Sequence, residues 1–495
     1  MKPSLSFEDV RDAIPSATAE LLSEISQNAA SSGCGLNLVG GPVRDLLLGR
    51  PISDVDLMVQ GDARALAQAT ASGRAGADLT IVPHDRFGTV SIVSADASID
   101  LAQLRHETYA QPGALPEVEP GTLEQDAARR DFSINALICP LDSSEPERRV
   151  AILDLEGGLE DLAKKRLRVL HTQSFHDDPT RAWRAARFAA RLGFSLDRSS
   201  RNALRNALRD GAFGAVSGER FRRELQLAFD ETRNDVSVGR ILRILSDWHV
   251  LAALEPGLTI ASDRMRPLRR LSKTIQNPDW EAPRWRGWVA GLEIWLAAMP
   301  AAQRRRVLER FSVRGEQAAR IVRFGRDAER TLKALSKARG RGAVDASLSE
   351  LPEETTQALY AIADVSVRRR ILRWGAEDRR RRSPVGGNEL IGLGLEGPEV
   401  GKALKRIRAG FLDGEVANRE EALALAEEIA RRAARRTPRK ASKSSSKPRS
   451  KSSGRKVARR SAITDTSRDR RRPVATRSEP SAGSDRVKPS DPSAS

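Results

Sequence analysis

The sequence predicts an α+β head with a mixed sheet of about five strands, an all-helical remainder and a disordered basic C-terminus. Three observations lead there. Between residues 36 and 155, short apolar or alternating runs (LNLVG, DVDLMV, DLTIVP, TVSIVS, SIDLAQL, ALICPL) are separated by Gly, Pro and Asp, the pattern of strands and turns. After about residue 160 these runs vanish, and apolar residues recur at three- and four-residue spacing, as in RAWRAARFAARLG and GRILRILSDW. Residues 431–495 hold 21 Lys+Arg against 5 Asp+Glu and no Phe, Trp, Tyr or Cys, too little apolar surface to offset the entropy of ordering.

Composition narrows the class. The chain has 495 residues and a formal net charge of +18, of which the last 65 residues supply +16 and the other 430 only +2. That length allows roughly three or four domains. Two cysteines (Cys34, Cys139) and five histidines exclude a disulfide framework and a Cys/His zinc cluster. No run of 18 apolar residues exists, so no membrane span is expected. The opening MKPSLSFEDVRDAIP carries acids and no apolar core, unlike a signal or transit peptide. The expectation is an intracellular, cytoplasmic, multidomain protein. Its basic end reads either as an arm adding salt-dependent affinity for nucleic acid or as a solubilising tail.

Along the chain, residues 1–25 form an N-terminal helical segment. In the region that follows, VRDLLLG and DARALAQATA are helices between strands. Further on, PRWRGWVAGLEIWLAAM carries Trp285, Trp288 and Trp295 at helical spacing, which reads as core packing rather than base stacking. The Gly/Pro break SPVGGNELIGLGLEGPEVG precedes a last helical unit ending near 430.

The densest chemical signal is LVGGPVRDLLLGRPISDVDLMV, residues 38–59. Period-2 alternation in SDVDLMV puts Asp54 and Asp56 on one face of a strand and Val55 and Leu57 on the other. Two carboxylates so placed can hold two divalent ions, which activate a hydroxyl and stabilise a leaving pyrophosphate. Upstream, Gly40 and Gly41 let the backbone approach a ligand, and the helix starting near Val43 aims its N–H groups and Arg44 at an anion. Asp100, in the strand-like SIDLAQL, is either a third carboxylate of the same cleft or a capping residue.

These residues resemble the class II tRNA nucleotidyltransferase/poly(A) polymerase family, within the DNA polymerase beta nucleotidyltransferase superfamily. GGPVRDLLLGRPISDVDL resembles its first motif, RRDFSINAL (129–137) its second and LDLEGGLEDL (153–162) its third, with Leu155 where the family has Pro. DDPTRAWRAARFAARLGF (177–194) resembles the fourth motif and GERFRREL (218–225) the fifth. The resemblance implies a polymerase-beta-like head at 26–160, a base-selecting neck at 161–230, a helical body at 231–345 and a tRNA-binding tail at 346–430. It also implies transfer of a nucleoside monophosphate from CTP or ATP to an RNA 3′-hydroxyl. Asp54 and Asp56 would bind Mg²⁺. Gly41 and Arg44 would contact phosphates. Arg130 would meet the sugar or phosphate, and Asp131 would select ribose. The implied partner is tRNA at its 3′ end and acceptor stem, with no membrane and no obligatory protein partner.

In the fourth motif, Asp178 and Arg181 lie three apart, neighbours on a helix. An acceptor and a donor fork fixed side by side can pair with the exposed edge of cytosine or adenine. Arg184 and Arg187 continue the spacing toward base edge and phosphates. Asp178-Pro179 equally reads as an N-cap with proline in the first turn. The family has Glu where Asp177 stands. Glu219 and Arg220 either brace this helix or lie on a solvated face. His176 lacks the partner histidines of a metal hydrolase, and the cysteines read as inert. The activities implied are completion of the tRNA CCA end, its CC-only or A-only half, or poly(A) synthesis. A catalytically dead RNA-binding paralogue would have no need of both Asp54 and Asp56.

Overall fold

All six apolar runs of the first third become strands of one sheet, one more than the expected five. The computed structural model describes residues 3–52, 54–73, 79–84, 88–108, 117–275 and 287–436, which fall in one compact unit. From one edge, the strands are Thr80–His84, Thr89–Val93, Ser98–Gln103, Val55–Gln60, Gly35–Val39 and Ile138–Pro140. Only the central pair, Val55–Gln60 with Ser98–Gln103, is parallel. All other neighbours are antiparallel. The register sets Asp56 beside Asp100 and Asp100 beside Ser91, a polar row across three strands.

Alternation along the central strand divides the sheet. Val55, Leu57 and Val59 enter the main core beneath the helices Ser16–Ser31 and Ala63–Gly73, which bury Leu21, Leu22, Ile25 and Leu66. Asp56 and Met58 face the other way, where Met58 joins Val39, Ala127 and Ile138 in a small separate cluster. The helix Ser16–Ser31 crosses the boundary expected at residue 25. Upstream, Ser4–Leu5 pairs antiparallel with Val150–Ala151. The first residues are therefore built into the head rather than standing as a segment of their own.

Beyond residue 160 the described chain is helical except for a two-residue parallel ladder, Arg166–Leu167 with Ser195–Leu196. The main core runs without a break from Leu5 to Trp374, and a second, smaller one gathers Val385, Leu390, Ile407 and Ala422. Trp295 is buried and donates Nε1–H to the Thr259 carbonyl at 2.8 Å, as core packing requires; Trp288 is half-buried, and Trp285 lies outside the described residues. The last helix, Arg419–Arg436, extends past residue 430, so residues 431–436 are helical where disorder was expected. The remaining arm, 437–495, lies outside the described residues. No described helix is long and apolar enough to cross a membrane.

Candidate active site

The sheet face that carries Asp56 opens into a cavity of about 680 Å³. Its other walls are the Gly40–Gly41 turn, the segment Arg129–Asn135 and the helices Arg181–Leu192 and Gly218–Asp230. Of the twelve residues singled out from sequence, eleven line it. The exception is Asp100, which lines an adjoining cavity of about 370 Å³ that shares Asp54 and Ile52 with the first. Ten arginines and eight carboxylates line the main cavity, so charge is dense and nearly matched.

Asp54 lies just before the strand Val55–Gln60, and Asp56 is its second residue; both are solvent-accessible. The Asp56 carboxyl is pushed up to about 6, chiefly by its enclosure in the cleft, then by the neighbouring Asp100 and Asp54 charges, with Arg130 pulling the other way. Asp100 accepts a hydrogen bond from Ser91 Oγ at 2.5 Å. Among the described residues, no three His, Cys, Asp or Glu side chains converge closely enough to hold a metal ion by themselves.

At the turn, Gly40 has φ +74°, and a Cβ there would sit 2.9 Å from Arg130 Nη1. Both backbone and neighbour therefore demand glycine. Arg44, expected at a phosphate, is instead buried. Its Nη1 donates to Asn135 Oδ1 at 2.5 Å, its Nε and Nη2 to Asp45 at 2.9 and 2.7 Å, and its guanidinium lies 5.0 Å from the Phe188 ring centroid. With its donors engaged, Arg44 ties the turn to the second motif and the neck helix.

The second motif differs in the same way. Arg130 pairs with buried Asp126 at 2.9 Å and donates Nη1–H to the Asn135 carbonyl at 3.3 Å. Asp131, expected to read ribose, has both oxygens engaged. Oδ1 accepts from the Phe132 N–H and Asn135 Nδ2, each at 2.9 Å, and Oδ2 from Arg184 Nε and Nη2 at 2.8 and 2.7 Å. Burial would raise this carboxyl, but Arg184 and Asn135 hold it down to about 2. Asp131 thus clamps the head to the neck.

Asp178 precedes the helix Arg181–Leu192 instead of sharing a helical face with Arg181. Its Oδ1 accepts from Thr180 N–H (3.0 Å), Thr180 Oγ1 (2.6 Å) and Arg220 Nη2 (2.8 Å). This local turn to Thr180 replaces the expected cap, since Thr180 rather than Asp178 stands at the N-cap and no side chain caps the helix; Arg220 is a brace, and Glu219 is exposed, its carboxyl held low by hydrogen bonding to Ser312. Arg181 is buried; Nη2 donates to the Arg129 carbonyl at 3.1 Å, while Nη1 has no partner. Arg187 meets Glu224 at 3.4 Å and Glu231 only at 3.8 Å, and its Nε is also unpartnered. His176 lies 3.0 Å from Asp210, and the buried Cys139 thiol is pushed up to about 12 by burial, so neither joins the cleft chemistry.

Asn135, Thr180, Arg191, Glu224 and Glu231 line the cavity without having been singled out. Asn135 and Glu224 stand inside the quoted second and fifth motifs, so a signal existed. Thr180 and Arg191 stand inside the quoted fourth motif, while Glu231 carried no signal, since its proximity to Arg191 (3.9 Å) is made only by folding.

The Poly A polymerase head domain family matches residues 36–168. An A-adding tRNA nucleotidyltransferase of Geobacter sulfurreducens is 31% identical over 84% of this chain and 48% of its own length, so the chain spans about half of that relative. A second A-adding tRNA nucleotidyltransferase, from Halalkalibacterium halodurans, is 32% identical over 83% of this chain and 92% of its own. A CCA-adding enzyme of Lactobacillus delbrueckii subsp. bulgaricus is 27% identical over 81% and 95%. Among solved structures, a CCA-adding enzyme in an apo form matches with TM-score 0.68 and 27% identity, over 86% of this chain and 99% of that one. The Thermotoga maritima CCA-adding enzyme complexed with tRNA matches with TM-score 0.63 and 25% identity, over 88% and 100%.

Proposed function

The chain belongs to the tRNA nucleotidyltransferase family, and we propose that it transfers a nucleoside monophosphate from ATP or CTP to the 3′-hydroxyl of tRNA, releasing pyrophosphate. The observation that carries this reading is one cavity in which Asp54 and Asp56 face an arginine wall whose Arg181 Nη1 is buried and unpaired. A buried donor without a partner costs about 1–3 kcal/mol, which a bound acceptor group would recover.

Asp54 and Asp56 fit a divalent cation. They are hard oxygen donors, and their mutual repulsion, with that of Asp100, is what a cation would relieve. We assign that cation as Mg²⁺, with Asp54 and Asp56 as its protein ligands; when bound, it would stabilise charge on the transferring phosphoryl group. Asp100 is the third carboxylate, from the adjoining cavity. The remaining work is positional. Gly40 and Gly41 leave room for the triphosphate. Arg181, aided by Asp178 Oδ2, meets the base edge, while Arg187 and Arg191, with weak carboxylate contacts of 3.4–3.9 Å, are available to phosphates. Arg44, Arg130, Asp131 and Arg184 hold these groups in place through the bonds described above. Residues 3–160 would act as head, 161–230 as neck, 231–345 as body and 346–436 as a tail gripping tRNA in the cytoplasm.

Two readings of the product differ by the relatives. Spanning most of an A-adding enzyme favours addition of the terminal A to tRNA ending in CC. Spanning most of a CCA-adding enzyme favours addition of all three nucleotides. Extension of tRNA lacking CCA, of tRNA ending in CC and of unstructured RNA, each with CTP, ATP or both, separates them. A alone on the CC-ended substrate supports the first and CCA on the truncated substrate the second. Long A-tracts on unstructured RNA would make it a poly(A) polymerase, and no addition anywhere would sink the proposal.

A further inference from the structure

The helix Arg181–Leu192 presents Arg181, Arg184, Arg187 and Arg191 to the cleft, and they differ in how firmly they are held. Arg184 is bound to Asp131 at 2.8 and 2.7 Å. Arg187 has no such partner. Its nearest carboxylate is Glu224 of the facing helix Gly218–Asp230, at 3.4 Å. That is longer than the about 2.7–2.9 Å of a charge-assisted hydrogen bond. Glu224 Oε2 accepts no hydrogen bond and Arg187 Nε donates none, yet the two side chains are only 10% and 12% exposed. Water therefore does little to screen either charge.

Opposite charges buried side by side without a hydrogen bond make an incomplete pair, because attraction repays desolvation only when the geometry is good. The pair balances Arg187 while the cleft is empty and leaves its donors open to a better acceptor. A triphosphate is such an acceptor, since its charged oxygens can take guanidinium N–H groups at full hydrogen-bonding distance. Around Glu224 stand Arg187 and Arg184 from the facing helix, Asp178 from the turn before it and Asp131 from the second motif. Arg220 and Arg223 lie on its own helix, and Glu231 beyond that helix shares Arg187 at 3.8 Å. Burial pushes the Glu224 carboxyl above the usual carboxylate range, Arg187 and Arg184 pull it back, and Asp178 and Asp131 add to the push. Once Arg187 turns to a phosphate, the larger pull is gone and the neighbouring acids remain. Resting on the transfer activity proposed above, we propose that Glu224 is a placeholder for the triphosphate: it holds Arg187 in the empty cleft, yields it to the incoming nucleotide and takes up a proton from solvent as it does so. One proton enters for each nucleotide bound, and no covalent bond changes. When pyrophosphate leaves, the proton returns to solvent and Arg187 to Glu224, so the pair competes with pyrophosphate for the same donors and favours its release. Glu224 is a positioning residue, acting through Arg187.

Calorimetry of ATP binding to the full chain, with Mg²⁺ and without RNA, counts the protons taken up when it is repeated in buffers of different ionisation enthalpy. The γ-phosphate of ATP titrates alike with either protein, so the difference between wild type and Glu224→Gln isolates the carboxyl. At pH 7 the wild type should take up more protons per ATP than the variant. At pH 8 Glu224→Gln, with no charge to neutralise, should bind ATP about tenfold tighter than wild type, the factor that one unit of a titration midpoint represents. Equal proton counts, or weaker ATP binding by the variant, overturn the proposal, because an acid that only supports the fold would lower affinity and move no proton. The wild type supplies a test that needs no variant: its ATP affinity should fall between pH 7 and pH 8.5, and a flat profile overturns the placeholder. Failure of the underlying activity is distinguishable, because then the wild type adds no nucleotide to any RNA, and the proposal falls with it.

Discussion

Two buried acids, Asp131 in the cleft wall and Glu293 in the helical body, meet opposite fates. Asp131 is engaged by four donors, two of them from the Arg184 guanidinium, and its carboxyl is held down to about 2. Glu293, fully buried in the helix Gly287–Leu296, accepts on Oε1 only, from Thr355 Oγ1 at 2.8 Å and Arg320 Nε at 3.1 Å; Oε2 has no partner. Desolvation wins there and pushes the carboxyl up to about 7. Burial alone therefore does not decide whether an acid is charged; the number of donors aimed at it does. In the cleft, ion pairs fix the groups between head and neck, and Arg181 Nη1 and Arg187 Nε are still unmatched on that wall. In the body, a single underserved acid is a cost to stability and borders no described cavity.

The contrast can be broken from either side. The largest effect is expected at the cleft floor. Asp54→Ala or Asp56→Ala should lower nucleotide addition on the order of 10³-fold or more, since several kcal/mol of transition-state stabilisation is removed. tRNA affinity, read by filter binding, should stay within about twofold. Retained turnover in either variant would remove the pair from the chemistry.

Asp131→Asn comes next. It leaves Arg184, whose side chain is 38% exposed, without its counter-charge and should cost ~1–2 kcal/mol in chemical denaturation, less than for a fully buried pair because water reaches the guanidinium. The pH dependence follows from the depressed carboxyl. Its stabilisation is fully present above the unfolded value near ~4 and is lost as pH falls toward about 2, a contribution of ~2 kcal/mol. A variant as stable as the wild type at pH 6 would mean the clamp is idle.

Glu293→Gln should act with the opposite sign. A raised folded-state value means the folded protein binds more protons than the unfolded chain, so wild-type stability falls as pH climbs from ~4.3 through about 7. The amide removes that cost, giving ~2–3 kcal/mol of added stability at pH 8 and little change at pH 5. Equal effects at both pH values would show that Glu293 titrates normally. The smallest effect concerns the arm. Removing residues 437–495 should flatten the salt dependence of RNA binding with the catalytic rate unchanged; an identical salt slope would return the arm to a solubilising role.

Much of the head was legible because strand alternation is local: all six runs of the first third reached the sheet, and Asp54 with Asp56 fell on the expected face. The boundary at residue 25 failed because an amphipathic helix carries no mark of the domain it will cover. Roles failed where a partner is distant in sequence. Arg44 finds Asn135 across 91 residues, Asp131 finds Arg184 across 53 and Asp178 finds Arg220 across 42. Four residues expected to contact a nucleotide, Arg44, Asp131, Arg184 and Asp178, thus have partners within the protein.

The sequence by itself determined the element types, the carboxylate pair and the glycine turn, because periodicity, spacing and backbone freedom act over a few residues. Which arginines are engaged and which keep an unpaired donor was decided only by the tertiary structure. So was the position of Asp100, beside Asp56 in the register yet lining the adjoining cavity with Asp54. Burial and hydrogen bonding depend on what the rest of the chain brings alongside, and a guanidinium offers the same donors wherever it stands.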